Sequence, residues 1–380
     1  MSADRPRVCH VITGLMTGGA ERALLNLLHS GLTQRYDTTV ISVLGDGPMV
    51  EPIRATGARV MFLNLSGAWR APLALITLRR IAQDIRPDIA QGWMYHGNLA
   101  ATLMRAVSPG TPKLAWNIRQ SLDYDLSKEK TLTRKMIQLN SLLSRQPEAI
   151  LYNADSSRNT HENFGFASTS AQVIPNGFNT GKMLLNEQTR ERVRAEFGFK
   201  NTDFVFLHAA RLHPMKDHGT MLKAAVKCLE SCSNARFVLA GLGVKKNLAE
   251  FLDNVPPDLR TKFFLLGERR DVPALIQGAD CMVLSSFSEG FPNVLGESMA
   301  YNTPAITTDA GDSASVVGEA GVVVPVGDPS ALAAAMTAMA AEPASAVKLG
   351  HAGRKRVVAM YDISRAVEAY DALYQRLLAS

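Results

Sequence analysis

The feature of this 380-residue chain that most limits its fold is a strand–helix alternation that runs twice. Short apolar runs at Arg7–Thr13, Thr38–Leu44, Arg59–Leu63, Asp88–Gln91, Lys113–Ile118, Ala149–Tyr152 and Gln172–Ile174 read as strands. A polar stretch, Asn179–Arg192, then follows the turn Pro175-Asn176-Gly177. The pattern restarts with Phe204–Ala209, Arg236–Ala240, Lys262–Leu266, Cys281–Leu284, Ala305–Thr307 and Val322–Val324. Between them lie helical patterns such as Ala20–Leu32, Leu73–Ile85, Asp217–Leu229 and Ser330–Ala340. Parallel strands need a crossover, and helices on both faces bury the sheet. The chain is therefore expected to be α/β, with two doubly wound Rossmann-like domains facing across a cleft. The expected boundaries are 1–178, 179–362 and a terminal helix, Ile363–Leu378, which has no strand partner and is expected to pack back on the first domain.

An apolar content of 46% is enough for two domain-sized cores. No run reaches the length of a membrane span, and no long apolar run opens the chain, so a cytoplasmic setting is expected. Cys9, Cys228, Cys232 and Cys281 lack zinc-like spacing and read as buried thiols. The net charge of +6 is uneven. Residues 1–178 hold 19 Lys+Arg against 13 Asp+Glu, while the remainder holds 22 of each. The basic half suits either an anionic partner, such as a lipid surface or phosphorylated acceptor, or an ordinary solvated face. Within it, Lys128, Lys130, Arg134, Lys135 and Arg145 alternate with Leu132, Met136, Leu139, Leu142 and Leu143 at helical spacing. Nothing in the sequence carries a nucleic-acid-binding signature.

In doubly wound domains ligands bind beyond the carboxyl ends of the strands, so the segments after each strand carry the chemistry. The richest is Glu289-Gly-Phe-Pro-Asn-Val-Leu-Gly-Glu297. Glu289 sits on a loop, and Glu297 falls one turn into a helix that Asn293 could cap. A helix N-terminus receives phosphate, and a carboxylate on each side accepts hydrogen bonds from sugar hydroxyls. Phosphate flanked by such acids describes a nucleotide-sugar, though two solvated acids on an ordinary loop would share the pattern. Arg211 and Lys216 straddle a turn after an earlier strand and suit a diphosphate. Gly18 with Gly19 follows the first strand, and Gly241 with Gly243 follows another; both pairs permit close backbone approach, and both also fit a plain tight turn. Gly267 and Arg269 lie where backbone groups could hold a base. His96 stands at a helix expected to begin near Asn98; it suits a reacting sugar or acceptor, or a structural role. His208, His213 and His218 are spaced by five and do not share a helix face, so they do not read as a metal site. Asp123 and Asp125 read as solvated acids.

Together these residues resemble the retaining family-four glycosyltransferases of the GT-B fold, over nearly the whole chain. The Arg211/Lys216 pair and the Glu289–Glu297 segment are the specific parts. Gly18-Gly19-Ala20-Glu21, His96 and Pro175-Asn176-Gly177 support them. The nearest likeness is to bacterial members that build surface polysaccharides or lipid-linked glycans. The resemblance implies that Arg211 and Lys216 bind the diphosphate of a nucleotide-sugar donor, expected to be UDP-linked. Glu289 would hold donor-sugar hydroxyls. Phe291, Asn293, Val294 and Leu295 would meet sugar and phosphates mainly through backbone N–H groups, and Glu297 would hold the ribose. Gly18 and Gly19 would approach the diphosphate from the first domain, with His96 near the reacting sugar. It implies no metal and no cofactor, and a glycan or lipid-linked acceptor. Asn302, Asp312, Ser315 and Ala210 depart from the family pattern. Asn302 tolerates a left-handed helix end at little cost, whereas Asp312 and Ser315 stand where Gly and Glu are usual, so the family's donor contacts do not carry over to that loop. A nucleotide-sugar epimerase of the same fold and a non-catalytic nucleotide-sugar-binding protein are the alternatives.

Overall fold

The computed structural model describes residues 5–124, 126–128, 131–253 and 255–380, without the side chains of Ala68, Lys128 and Phe251. Asp125, Lys130 and the side chain of Lys128, named above, lie outside the described residues. The chain divides into two units, residues 1–177 with Ile363–Ser380, and Phe178–Asp362.

The first unit is a seven-stranded sheet of β1 (Arg7–Ile12), β2 (Asp37–Ser42), β3 (Arg59–Phe62), β4 (Ile89–Trp93), β5 (Lys113–Ile118), β6 (Ala149–Tyr152) and β7 (Ala171–Val173). The strand order is β3-β2-β1-β4-β5-β6-β7, and the pairings within it are parallel. The direction of winding therefore reverses between β1 and β4. Helices α1 (Gly19–Leu27), α2 (Ala71–Ile85), α3 (Met94–Val107), α4 (Thr131–Leu143) and α5 (Asp155–Phe164) connect the strands. Two apolar clusters, one on each face, bury β1 side chains in alternation: Val8 and Ile12 in one, Cys9 and Val11 in the other. That is the pattern of a strand buried on both sides, and each fully buried Val or Ile contributes roughly 2 kcal/mol.

The second unit repeats the plan with six strands: β8 (Phe204–Ala209), β9 (Ala235–Ala240), β10 (Phe263–Leu265), β11 (Cys281–Leu284), β12 (Ala305–Thr308) and β13 (Gly321–Val324), in the order β10-β9-β8-β11-β12-β13. Its larger helices are α6 (Glu187–Glu196), α7 (His218–Leu229), α8 (Asn293–Ala300), α9 (Pro329–Ala341) and α10 (Pro343–Tyr361). Here the reversal falls between β8 and β11. Helix α6 begins within the polar stretch Asn179–Arg192 and runs on to Glu196; Asn186 caps it by accepting from the Thr189 amide. Helix α10, rich in Lys, Arg and Gly, was not foreseen.

The last helix, α11 (Ile363–Ala379), belongs to the first unit. Tyr370 stacks on Trp93 with ring centroids 6.3 Å apart, and its hydroxyl accepts from Asn117 Nδ2 at 2.5 Å. Tyr374 donates to Gln91. Buried hydroxyls therefore find partners on β4 and β5, which fixes the helix in one register on the sheet.

Candidate active site

In the second unit β8 and β11 lie side by side where the winding reverses, so their exits converge. After β8 the chain runs through exposed Arg211 into a short 3-10 turn, Pro214–Lys216. Asp217 adopts a left-handed conformation with φ 41° and caps α7 by accepting from the Thr220 amide at 3.1 Å. That cap ends the turn with Lys216 aimed at the β11 exit. Lys216 Nζ donates to Glu289 Oε1 at 2.5 Å, and Ser286 Oγ donates to the same oxygen at 2.6 Å. Among the described residues Glu289 Oε2 has no partner. Arg211 likewise has none. The two loops are tied by the Phe287 amide donating to the Met215 carbonyl at 2.8 Å.

Glu289 is buried, where a solvated or merely loop-borne acid was one reading of the sequence. Its backbone is held from below by the β12 exit. Gly311 has φ +56°, and a Cβ there would lie 1.8 Å from the Glu289 carbonyl oxygen. Only glycine fits both the conformation and the approach. The Asp312 amide donates to the Gly290 carbonyl at 3.2 Å.

Helix α8 begins at Asn293 and is preceded by Pro292, with no side-chain cap. Asn293 is therefore the first residue inside the helix and not its cap: a residue with helical φ and ψ cannot fold its side chain onto the amides two and three ahead. Phe291 and Leu295 are buried, Phe291 edge-on to Tyr361 at 5.3 Å, and the Leu295 amide donates to the Pro292 carbonyl at 3.1 Å. Val294 and Glu297 are half-buried. Gly241 and Gly243 both have positive φ, and the Gly241 amide donates to the Gly267 carbonyl at 2.9 Å. The Arg269 guanidinium is engaged by Asp271 at 2.7 Å and Glu196 at 3.0 Å, so only its backbone is left for a ligand. Asn302 has φ 62°, the left-handed helix end expected of it.

In the first unit β1 and β4 flank the reversal. Gly18 precedes α1 in an extended conformation, and Gly19 opens that helix. Helix α3 starts at Met94, four residues before the Asn98 expected from sequence, so His96 lies within its first turn. Met94 carries φ 61°, a strained conformation for an unbranched side chain and one that no spacing signals. The early start is possible because Gly97 lets the helix approach β1; a Cβ there would lie 2.4 Å from the Val11 carbonyl oxygen. Burial holds the His96 imidazole below its usual pKa, which favours the neutral ring. His208 and His218 face each other with centroids 4.6 Å apart, while His213 is spent accepting from the Met215 amide. Among the described residues no group of three or more His, Cys, Asp or Glu is placed to hold a metal ion. Ser286, Gly311 and the Lys216–Glu289 contact were not identified from sequence. Only the contact had a signal, a cation and an acid each just past a strand.

Two family models match in tandem. Residues 17–182 match Glycosyltransferase Family 4, and residues 189–356 match Glycosyl transferases group 1. EpsD of Bacillus subtilis (strain 168), whose name assigns it provisionally to the glycosyltransferases, is 30% identical over 188 residues, 49% of each chain. An Escherichia coli UDP-Gal:alpha-D-GlcNAc-diphosphoundecaprenol alpha-1,3-galactosyltransferase is 29% identical over 139 residues, 36% of each chain. These matches span half or less of both relatives' lengths. The crystal structure of Anabaena HepE in complex with UDP-glucose superimposes with a TM-score of 0.84 at 17% identity, covering 97% of this chain and 99% of that one. The tandem models, the paired Rossmann-like sheets and this structural likeness agree: the chain belongs to the family-four glycosyltransferases and has the GT-B fold.

Proposed function

We propose that this chain is a retaining, metal-independent glycosyltransferase that moves a sugar from a UDP-linked donor to a glycan or lipid-linked acceptor. The observation that carries the reading is the Lys216–Glu289 contact between the adjacent exits of β8 and β11, with exposed Arg211 on the same β8 exit loop. In this reading Arg211 and Lys216 bind the donor diphosphate, and the amides at the start of α8 receive phosphate oxygens at the positive end of that helix. Glu289 divides its labour: Oε1 orients the Lys216 ammonium, and Oε2 accepts from a donor-sugar hydroxyl. Glu297 holds the ribose, and the Gly241–Gly243 and Gly267–Arg269 backbones hold the base. The first unit supplies acceptor binding, with Gly18, Gly19 and His96 assigned to the diphosphate and the reacting sugar. The ligands named for HepE and for the Escherichia coli galactosyltransferase support a UDP donor and a lipid-linked acceptor.

The chemistry is a front-face substitution. The bond between sugar C1 and the β-phosphate oxygen breaks, and its electron pair leaves with the phosphate. The acceptor hydroxyl oxygen bonds to C1 on the same face, and its proton passes to the departing phosphate oxygen. Negative charge grows on the diphosphate, where two fixed cations stabilise it. Glu289 and Glu297 are binding groups here, so no covalent glycosyl-enzyme is invoked. A lipid-linked acceptor would place the protein at the inner face of the cytoplasmic membrane; among the described residues no helix is long and apolar enough to cross one.

The test is incubation with a panel of UDP-sugars and bacterial membrane lipids, with the anomeric configuration of the product read by NMR. Transfer from a UDP-sugar with retained configuration, lost at least about a hundredfold in Arg211→Ala, is the expected result. Isomerisation of the donor without transfer, an inverted product, or near-normal turnover in Arg211→Ala would overturn the reading.

A further inference from the structure

We propose that Arg119 binds a phosphate group carried by the acceptor. The inference rests on the acceptor role assigned above to the first unit, and its readout is binding, not turnover.

Arg119 is the first residue past β5, on the edge of the sheet that carries Gly18, Gly19 and His96. Its amide donates to Met94 Sδ at 3.3 Å. Its guanidinium lies over the Trp93 ring, 5.3 Å from the centroid. Nη1 donates to Asn117 Oδ1 at 3.2 Å and to the Tyr370 hydroxyl at 3.4 Å, and Nη2 donates to Asn176 Oδ1. The partners come from β4, β5, the turn after β7 and α11, so the side chain is fixed before any ligand arrives.

None of these partners carries a negative charge. Among the described residues no carboxylate meets Arg119. Strands β4 and β5 and helix α3 contain no Asp or Glu. On α11, Asp371 is held by Arg35 and by the Tyr36 hydroxyl, each at 2.6 Å, and Glu368 is exposed. Asp123, four residues along the chain, is exposed and is not a partner. By contrast, Arg190, Arg194 and Arg236 each meet an aspartate, at 2.5, 3.0 and 2.7 Å.

The position is also the wrong end of a helix for a cation. Trp93 immediately precedes α3, and no side chain caps that end. The positive pole of the helix and the guanidinium are therefore held together with no acid between them. Burial keeps the guanidinium below its usual pKa, and Nε is buried without a partner. A charge withdrawn from water needs a counter-charge. A phosphate supplies one: the guanidinium donates to some of its oxygens, and amides at the start of α3 can donate to others. Arg119 remains partly open to solvent, which leaves room for approach.

The probe is geranyl diphosphate, a short isoprenoid diphosphate, titrated by calorimetry into the full chain saturated with UDP. Inorganic pyrophosphate, geraniol and glucuronate are the comparisons. Both phosphate compounds should bind, and geraniol and glucuronate should not. Arg119→Gln should weaken geranyl diphosphate at least about tenfold and leave UDP affinity unchanged, whereas Arg211→Ala should do the reverse. Because the free protein holds an unmatched cation, Arg119→Gln should melt no lower than the wild type. Should it melt lower, Arg119→Lys carries the test: it keeps the charge, and binding recovered at low salt supports the proposal, while binding no better than in Arg119→Gln overturns it. Unchanged geranyl diphosphate binding in Arg119→Gln would overturn it too. So would an equal loss of UDP affinity, which would assign Arg119 to the donor, equal binding of geraniol, or tighter binding of glucuronate. Geranyl diphosphate binding that depends on Arg119 in a chain that fails to bind UDP would fault the donor reading and leave this one standing.

Discussion

Replacing Lys216 by Ala should separate two jobs of one side chain. The ammonium donates to Glu289 Oε1 at 2.5 Å, with side-chain exposures of 23% and 9% for the two partners. Removing it leaves a buried carboxylate whose remaining partner is Ser286. Breaking a fully buried pair costs about 3–5 kcal/mol. Lys216 is partly wet, and water can enter the space it vacates, so roughly half of that, about 2 kcal/mol, is the expected loss. For a unit of this size that lowers the melting temperature by about 4–8 °C. Glu289→Gln in the same background removes the unpaired charge and should recover at least about half of the loss. Turnover should behave differently. Loss of one charge-stabilising group costs at least about a hundredfold, or roughly 2.7 kcal/mol of barrier, and the second substitution should not restore it. The assays are thermal unfolding and initial-rate transfer on the wild type, both single variants and the double variant. If turnover returns together with stability in the double variant, Lys216 only neutralises Glu289, and its assignment to the diphosphate is wrong.

Gly311→Ala forces a Cβ onto the Glu289 carbonyl from a left-handed backbone, so UDP binding by calorimetry should weaken at least about tenfold; wild-type affinity would refute the support assigned to the β12 exit. Turnover should persist in excess EDTA, and loss restored by manganese or magnesium would bring Asp123 and Asp125 back into consideration. Acid should destabilise the first unit through its buried histidines. The His161 pKa is lowered from 6.5 to about 4 by burial, and that of His10 to about 3. Both rings stay neutral in the fold while the unfolded chain takes up protons below pH 6.5. Their contribution is therefore full above that value and is lost as pH falls towards 4, by about 3 kcal/mol for His161. Chemical denaturation across pH 4–7 should show a flatter dependence in His161→Gln, and an unchanged slope would refute the assignment.

Much of the architecture is written in local sequence. The alternation of apolar runs with amphipathic stretches indicated both doubly wound units, because strands buried on two faces must be apolar throughout and parallel pairing demands a crossover. The Glu289–Glu297 segment and the Arg211/Lys216 turn could be picked out because each chemical group sits just past a strand. Asn302 could be read as tolerating a left-handed helix end because the family resemblance marked the position and Asn adopts that conformation at little cost. Finer local geometry was less accessible. Helix α3 begins at Met94 and not near Asn98, because Gly97 lets it sit directly on β1, and Asn293 opens α8 instead of capping it. What tertiary structure alone decided is which groups meet. Lys216 and Glu289 are 73 residues apart, and they touch because β8 pairs with β11. Gly311 supports Glu289 because β12 comes next in the sheet, and Tyr370 finds Trp93 because the final helix docks on the first unit. Sequence spacing encodes the period of an element and the chemistry at its ends. The order of strands is set by how all the helices cover the sheet together, and that order brings a cation to a buried acid.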